Sequence, residues 1–528
     1  MAAEQTPEEI ASLLQEFLTT HPKAVVLEDG RIAFDLQTAQ YTVQQQPGRC
    51  TLQLWSDTRN LSRRVLAVAQ RRDTLKLSTL RLGQSKPQTL EIVAQPERRA
   101  PSAREGTRQR FLPVLQRMLQ REFPDWTIDP LQSAMDLERS FGPAYARGTL
   151  HKGQKAWAAV GVNAEESQST VDGILTIGIL WLQVCRERAA GKRLFQGLVL
   201  FVPGGTATVT LSRIGWLRSD AAQWRLFEFS PRTEDLEERD AADVGNLSTH
   251  LVHLPDEGAA RERFASPLAV VMELLPPAAQ AEVEQRLRSS SELALLLYGL
   301  EFARIRIRAA ARTFTSDAEI SIGAGANETV LTPATEPQLR AFLQELFERR
   351  HPTGSPRDPL FRAAPEAWLE SVLRQNIGPL AAGQGSFAQF DPEHVYPQVP
   401  AFQAGDRGML DLLSVTRDGR LAVLELKANE DLHFALQGLD YWIRVRWHHV
   451  QAIDPQTGLG MLQRHGYFRG VRLAPEPPRL FLVAPSLRIH PATEQVLRFF
   501  KREVEWTLLG LHEQWRRTLK VITRFRST

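Results

Sequence analysis

Asp411, Glu425 and Lys427 carry the clearest chemical signal in this chain of 528 residues. Glu425-Leu-Lys427 sits in an apolar run, 421–428, that reads as a strand. Glu425 and Lys427 therefore project to one face, and Leu424 and Leu426 to the other. Asp411 lies on the strand before it. A three-residue loop Arg417-Asp418-Gly419, with Gly419 left-handed, pairs Thr416 with Arg420 and sets Asp411 opposite Glu425. A two-residue Asp418-Gly419 loop sets it opposite Leu426 instead. Two carboxylates and a lysine on one sheet face are costly unless a cation joins them. A hard divalent metal, Mg²⁺ or Mn²⁺, would bind Asp411 and Glu425 through oxygen, retain waters and coordinate a phosphate. Lys427 would then orient or help deprotonate the attacking water and stabilise phosphorane charge.

The elements that must position these residues occupy the last third of the chain. Residues 364–376 have helical spacing of Trp368, Leu369, Val372 and Leu373, with Pro365 in the first turn. Strands are expected at 394–402, 408–415 and 421–428, a helix at 432–447 and a strand at 479–485, giving the order αβββαβ. With that order, an Asp and a following Glu-X-Lys, the segment resembles the PD-(D/E)XK nuclease superfamily. Gln437-Gly-Leu-Asp-Tyr441 is similar to the Gln-X-X-X-Tyr element of its RecB-like branch. The resemblance implies a restriction-endonuclease-like core in which Asp411 and Glu425 hold the metal and Lys427 is the catalytic lysine. It makes Gln437 and Tyr441 active-site or DNA-contacting residues. Glu370 would be the acidic residue of the first helix that also reaches the metal, with Glu366 as its rival. No proline precedes Asp411, a departure from the superfamily name. The implied activity is a metal-dependent deoxyribonuclease serving repair, restriction or phage defence, with RNA left open as a substrate. An inert nucleic-acid-binding or scaffolding protein is the competing reading.

A second block upstream lies in the same order. Arg147-Gly-Thr-Leu-His151 matches Arg407-Gly-Met-Leu-Asp411, residues 157–164 match 421–428, and 197–203 match 479–485. This alignment turns Asp411 into His151, Glu425 into Gly161 and Lys427 into Asn163, so that copy has lost the metal centre. Generic strand-helix patterning is the alternative to a duplication. The expected fold is mixed α/β and multidomain: a β-rich domain at 1–100, a degenerate nuclease-like domain at 105–255, a connecting region at 256–350 with helices near 265–297, and the nuclease domain at 356–528. A linker is expected near 95–104.

Composition narrows the classes further. With 43% hydrophobic and 24% charged residues the chain is of globular type, and two cysteines exclude a disulfide framework and a four-cysteine zinc site. No run reads as a membrane span or a secretory leader, so a cytoplasmic protein without a membrane partner is expected. The formal net charge of +3 conceals a basic end: from 441 to 528, fifteen Lys and Arg stand against six Asp and Glu. That end suits a phosphate backbone. Arg444, Arg446 and Trp442 on the 432–447 helix are candidate nucleic-acid contacts, although Trp442 at helical spacing also suits a core. His448, His449 and His465 read as surface residues rather than metal ligands. Residues 1–100 offer a surface for a protein partner.

Overall fold

The computed structural model describes the chain apart from residues 1–4, 23, 29–30, 37–38, 47–48, 56–59, 72–73, 81–87, 95–100, 137–138, 190, 241–250, 310–315, 324–328, 382–388, 401–408, 451–452 and 528. The first half of the expected linker, 95–100, thus lies outside the described residues; the chain from Pro101 onward is helical.

The N-terminal unit is one helix on one antiparallel sheet. Helix α1 (Pro7–Thr20) is followed by β1 (Val25–Glu28), β2 (Arg31–Asp35), β3 (Gln40–Gln46), β4 (Arg49–Trp55), β5 (Asn60–Arg71), β6 (Thr74–Leu80) and β7 (Gln88–Val93), in sheet order β2-β1-β7-β6-β5-β4-β3. Thr6 and Glu9 close a capping box at the start of α1. The helix buries Ile10, Leu14, Phe17 and Leu18 against the inward residues Cys50, Leu52 and Leu54 of β4.

The central unit runs α2 (Pro101–Glu122), β8 (Thr127–Ile128), β9 (Tyr145–Lys152), β10 (Lys155–Val162), α3 (Gln168–Asp172), α4 (Ile174–Ala189), β11 (Leu194–Pro203), α5 (Thr208–Ile214), β12 (Gln223–Phe229) and β13 (Leu236–Arg239). A third unit follows: α6 (Glu257–Leu274), an antiparallel meander of β14 (Val283–Ser289), β15 (Glu292–Leu297), β16 (Leu300–Ala309), β17 (Ser316–Ile322) and β18 (Thr329–Val330), then α7 (Glu336–Arg349). Here the expectation of helices near 265–297 holds for α6 and a 3-10 turn at Pro277–Glu282 and fails from Val283 onward. Leu293 to Leu297 are all buried in β15, and an unbroken apolar run has no period by which a strand is told from a helix.

The C-terminal unit contains α8 (Pro359–Arg362), α9 (Pro365–Gln375), β19 (Phe390–Pro400), β20 (Met409–Thr416), β21 (Leu421–Leu426), α10 (Phe434–Val450), α11 (Met461–Arg464), β22 (Arg479–Pro485), α12 (Pro491–Leu497), β23 (Trp506–Leu511) and β24 (Val521–Arg526). The loop between β20 and β21 is the three-residue one. Thr416 N–H donates to Arg420 O at 2.9 Å, Gly419 N–H donates to Thr416 O at 2.8 Å, and Gly419 has φ +82°. A Cβ on Gly419 would lie 2.4 Å from the carbonyl oxygen of Arg472. Gly419→Ala is therefore expected to lower stability by roughly 1–3 kcal/mol or more, from left-handed strain plus a backbone clash, as a denaturant titration would read.

The central and C-terminal sheets have one topology. Their orders are β8-β9-β10-β11-β12-β13 and β19-β20-β21-β22-β23-β24, and in both the third, fourth and fifth strands are parallel and the others antiparallel. The two helices after the third strand, α4 and α10, each use a glycine to approach the fourth strand. Gly178 meets Leu198 and Leu200, and Gly438 meets Leu480 and Leu482. The units pack helix side to helix side, with α5 against α10 and α12 against α4. An antiparallel bridge, Leu217 to Phe500, joins equivalent points: Arg218 N–H donates to Phe499 O and Lys501 N–H donates to Trp216 O. The two halves thus meet about an approximate two-fold relation.

These registers correct the alignment read from the sequence. Ala156, Ala158, Val160 and Val162 of β10 share the inter-unit core with Leu421 and Val423 of β21, while Gly161 faces Phe111 and Leu115 of α2. With β11 and β22 as the fixed reference, Val160 is equivalent to Glu425, Val162 to Lys427 and, across the antiparallel pair, Arg147 to Asp411. His151, Gly161 and Asn163 are not the equivalents. A one-residue slip in a strand turns every side chain to the other face, and short apolar matches do not resolve it.

Candidate functional site

The centre is built at the ends of β20 and β21 on the face covered by α10. Leu412 pairs with Leu424, so Asp411 falls opposite Glu425, and Oδ2 of Asp411 accepts the Leu426 N–H at 2.7 Å. Leu424 and Leu426 point the other way, into the core beneath α9. Lys427 N–H donates to Val483 O, which carries the strand path one residue past β21. Its Nζ lies 3.2 Å from Glu425 Oε1 and 3.7 Å from Asp431 Oδ2. Asp431, one helical turn from Lys427 in number, is a partner that sequence reading missed.

Burial dominates the electrostatics here. Glu425 is 2% exposed. Burial and the adjacent Asp411 push its carboxyl well above the usual range, against the pull of Lys427. Burial raises Asp411 to about 6, opposed by the Leu426 N–H and Lys427. Lys427 is held charged above its ordinary value: burial works against the ammonium, but Glu425, Glu366, Asp411 and Asp431 outweigh it. The Tyr441 hydroxyl is raised by burial and by the fields of Glu425 and Asp411, so Tyr441 on α10 lies within electrostatic reach of the centre. A Cβ added to Gly438, one residue after Gln437, would lie 3.7 Å from the Cβ of Glu425. Two buried acceptors on these elements, Glu425 Oε2 and Gln437 Oε1, have no hydrogen-bond partner among the described residues.

Other expected residues are placed elsewhere. Glu370 is buried on α9, but Arg286 of β14 holds its Oε1 at 2.6 Å and Gln398 donates to Oε2 at 3.1 Å. Its charge reaches Asp411 only at a distance, as does that of the exposed Glu366. Trp442 is fully buried, donates Nε1–H to Pro478 O at 2.6 Å and packs edge-on to Trp216 of the central unit. Arg444 is buried, and Arg446 lies over the Trp216 ring at 4.6 Å. Trp442 and Arg444 therefore do not offer a free surface to nucleic acid, and Arg446 is half-buried against the central unit. His448 is buried rather than a surface residue, His465 stacks on His253, and neither lies in the centre. Among the described residues no group of three or more His, Cys, Asp or Glu side chains forms a ready ligand set.

The paired, buried carboxylates imply a testable cost. A carboxyl whose folded pKa exceeds its unfolded value binds protons more readily when folded, so it detracts from stability above about pH 6 and ceases to do so as pH falls toward about 4. Asp411→Asn keeps the acceptor for Leu426 N–H and removes the charge. In metal-free buffer at pH 7.5 its melting temperature is expected ~2–6 °C above wild type, a gap that narrows toward pH 5. A constant gap across that range would contradict the electrostatic account.

The chain is a mixed α/β protein of four sheets among the described residues, with a carboxylate–lysine centre on the fourth. No helix of the described residues is long and apolar enough to cross a membrane. No family model matches the chain, and no curated protein matches it.

Proposed function

We propose that the C-terminal unit is a divalent-metal-dependent nuclease of the PD-(D/E)XK type, RecB-like branch, that hydrolyses phosphodiester bonds in DNA. The observation that carries this reading is the convergence of Asp411, Glu425 and Lys427 on one sheet face within an αβββαβ order, under a helix bearing Gln437 and Tyr441. The donor set fits Mg²⁺ or Mn²⁺: the Asp411 and Glu425 carboxylates, both with raised proton affinity, and the buried amide oxygen of Gln437 on α10, with no sulfur. When bound, such an ion supplies Lewis-acid polarisation of the phosphate and an acidified water. The chain's own residues do the rest. Asp411 and Glu425 hold oxygen ligands in place, Asp411 being fixed by the Leu426 N–H. Lys427, kept charged by four carboxylates, stabilises the charge that develops on the phosphorus oxygens. Tyr441 and Gln437 offer polar groups from α10 to the substrate side of the centre.

The engagement of Glu370 by Arg286 and Gln398 supports a two-carboxylate centre, with Glu370 as a structural anchor between the third unit and α9. The loss of Glu370 to Arg286 leaves the exposed Glu366 as the acidic residue of α9 within electrostatic reach of Asp411 and Lys427; a centre with fewer direct ligands than the resemblance implies favours the competing reading, an inert scaffold for nucleic acid. Incubation with linear, circular and single-stranded DNA in Mg²⁺ or Mn²⁺ decides between them: metal-dependent cleavage that EDTA abolishes is expected, and no cleavage of any substrate would leave the inert scaffold standing.

A further inference from the structure

The central unit carries different side chains where the C-terminal unit holds its carboxylates. By sheet register Arg147 takes the place of Asp411, and by the alignment of Gly178 with Gly438, Trp181 takes that of Tyr441. With Gln132, Asp136, Phe141 and Arg188 they line an open cavity of ≈ 520 Å³, within the range of small-ligand pockets. Arg147 is 2% exposed. Its guanidinium lies 4.5 Å over the Phe141 ring and 5.9 Å from that of Trp181, with N–H groups directed to Ala134 O and Gly142 O. Its Nε is buried and has no hydrogen-bond partner among the described residues. Arg188 is exposed and sits 5.8 Å over Trp181.

Among the described residues the charges in this pocket do not balance. Asp136 is the carboxylate in the lining, and it receives both the backbone N–H and the guanidinium of Arg139, each at 3.2 Å. It attracts Arg147 only at longer range. Among the described residues neither Arg147 nor Arg188 makes an ion pair. Burying an arginine without a paired anion is costly, and an exposed arginine beside it adds repulsion.

We propose that this pocket binds a phosphomonoester, the terminal phosphate of a nucleic-acid strand or of a mononucleotide, without a metal ion. Such a group carries a charge of about −1.5 to −2, matching two unpaired guanidinium groups, and its oxygens suit their planar donors. Phe141 and Trp181 supply ring surface for a base or sugar. The exchange of Asp411 for Arg147 inverts the sign at one position of the shared topology: phosphate is met by a fixed cation instead of by carboxylates and a bound one. The proposal does not depend on the nuclease reading.

The test uses full-length protein in EDTA and a 3′-labelled oligonucleotide bearing either a 5′-phosphate or a 5′-hydroxyl, followed by fluorescence anisotropy. Wild type and Lys427→Ala are both expected to prefer the phosphorylated strand by about tenfold or more, and inorganic phosphate to compete. Arg188→Ala, at an exposed position, is expected to lose most of that preference, and Arg188→Lys to retain part of it. Competition by a mononucleotide as strong as by the oligonucleotide would name a free nucleotide as the ligand; competition by the strand alone would name a strand end. Equal affinity for both oligonucleotides, or a preference that Arg188→Ala leaves intact, would overturn the proposal.

Discussion

Lys427→Ala protein is expected to lose metal-dependent DNA cleavage by roughly 10²–10⁴-fold, the range associated with one positioned acid–base or charge-stabilising group. The ammonium sits 3.2 Å from Glu425 and is held charged by surrounding carboxylates, so it supplies a fixed positive charge to the centre. Because the loss is in the chemical step, kcat should fall while the apparent affinity for Mg²⁺ changes little. Glu425→Gln separates the two roles: if Glu425 holds the metal as proposed, its activity should be partly recovered at high metal concentration, whereas that of Lys427→Ala should not. Lys427→Arg retains charge but not shape, and an intermediate rate is expected. Removing the lysine also exposes Glu425 and Asp411 to each other. Rates should therefore be read well below the melting temperature of each variant, with circular dichroism to establish the fold. Cleavage by Lys427→Ala at the wild-type rate would refute a catalytic role for this centre.

Much of that centre is legible in the chain. Period-two alternation tells which side of β21 carries Glu425 and Lys427, and Arg417-Asp418-Gly419 narrows the turn to two loops, of which the structure adopts the three-residue one that brings Asp411 opposite. Both are local rules, and local rules survive folding. The surroundings are not local. Arg286 captures Glu370 from 84 residues away, and no pattern near Glu370 announces it. Trp442, Arg444 and Arg446 look like a basic, aromatic helix face suited to nucleic acid until the central unit, more than 200 residues earlier, closes over them. The repeat is visible as similar strands, yet the strand parity that makes Val160 and Arg147 the true equivalents emerges only from hydrogen-bond register. β15 was missed for the opposite reason: from Leu293 to Leu297 it is buried on both faces and carries no periodicity to read.

The joint between the two halves predicts the largest effect on stability. Arg213 of α5 is 5% exposed and forms a bidentate pair with Asp440 of α10, Nε to Oδ1 at 2.9 Å and Nη2 to Oδ2 at 2.7 Å, while its Nη1 donates to Asp172 O. Asp440→Ala leaves the guanidinium buried without its ion-pair partner, with the carbonyl oxygen of Asp172 and the more distant charge of that residue in its place. A loss of about 3–5 kcal/mol is expected, seen as an early transition in urea unfolding. That cost is not the worth of the pair. On the reciprocal crossing of α12 and α4 the equivalent positions are Val496 and Leu180, both buried in the inter-unit core. The same topology thus builds this contact once with charges and once with hydrocarbon. The double substitution Arg213→Leu with Asp440→Leu is therefore expected to recover most of the lost stability, because no unpaired charge remains and the volume is filled. If the double variant were as unstable as Asp440→Ala alone, the crossing would need the ion pair itself, and its apolar counterpart would not be an adequate guide to it.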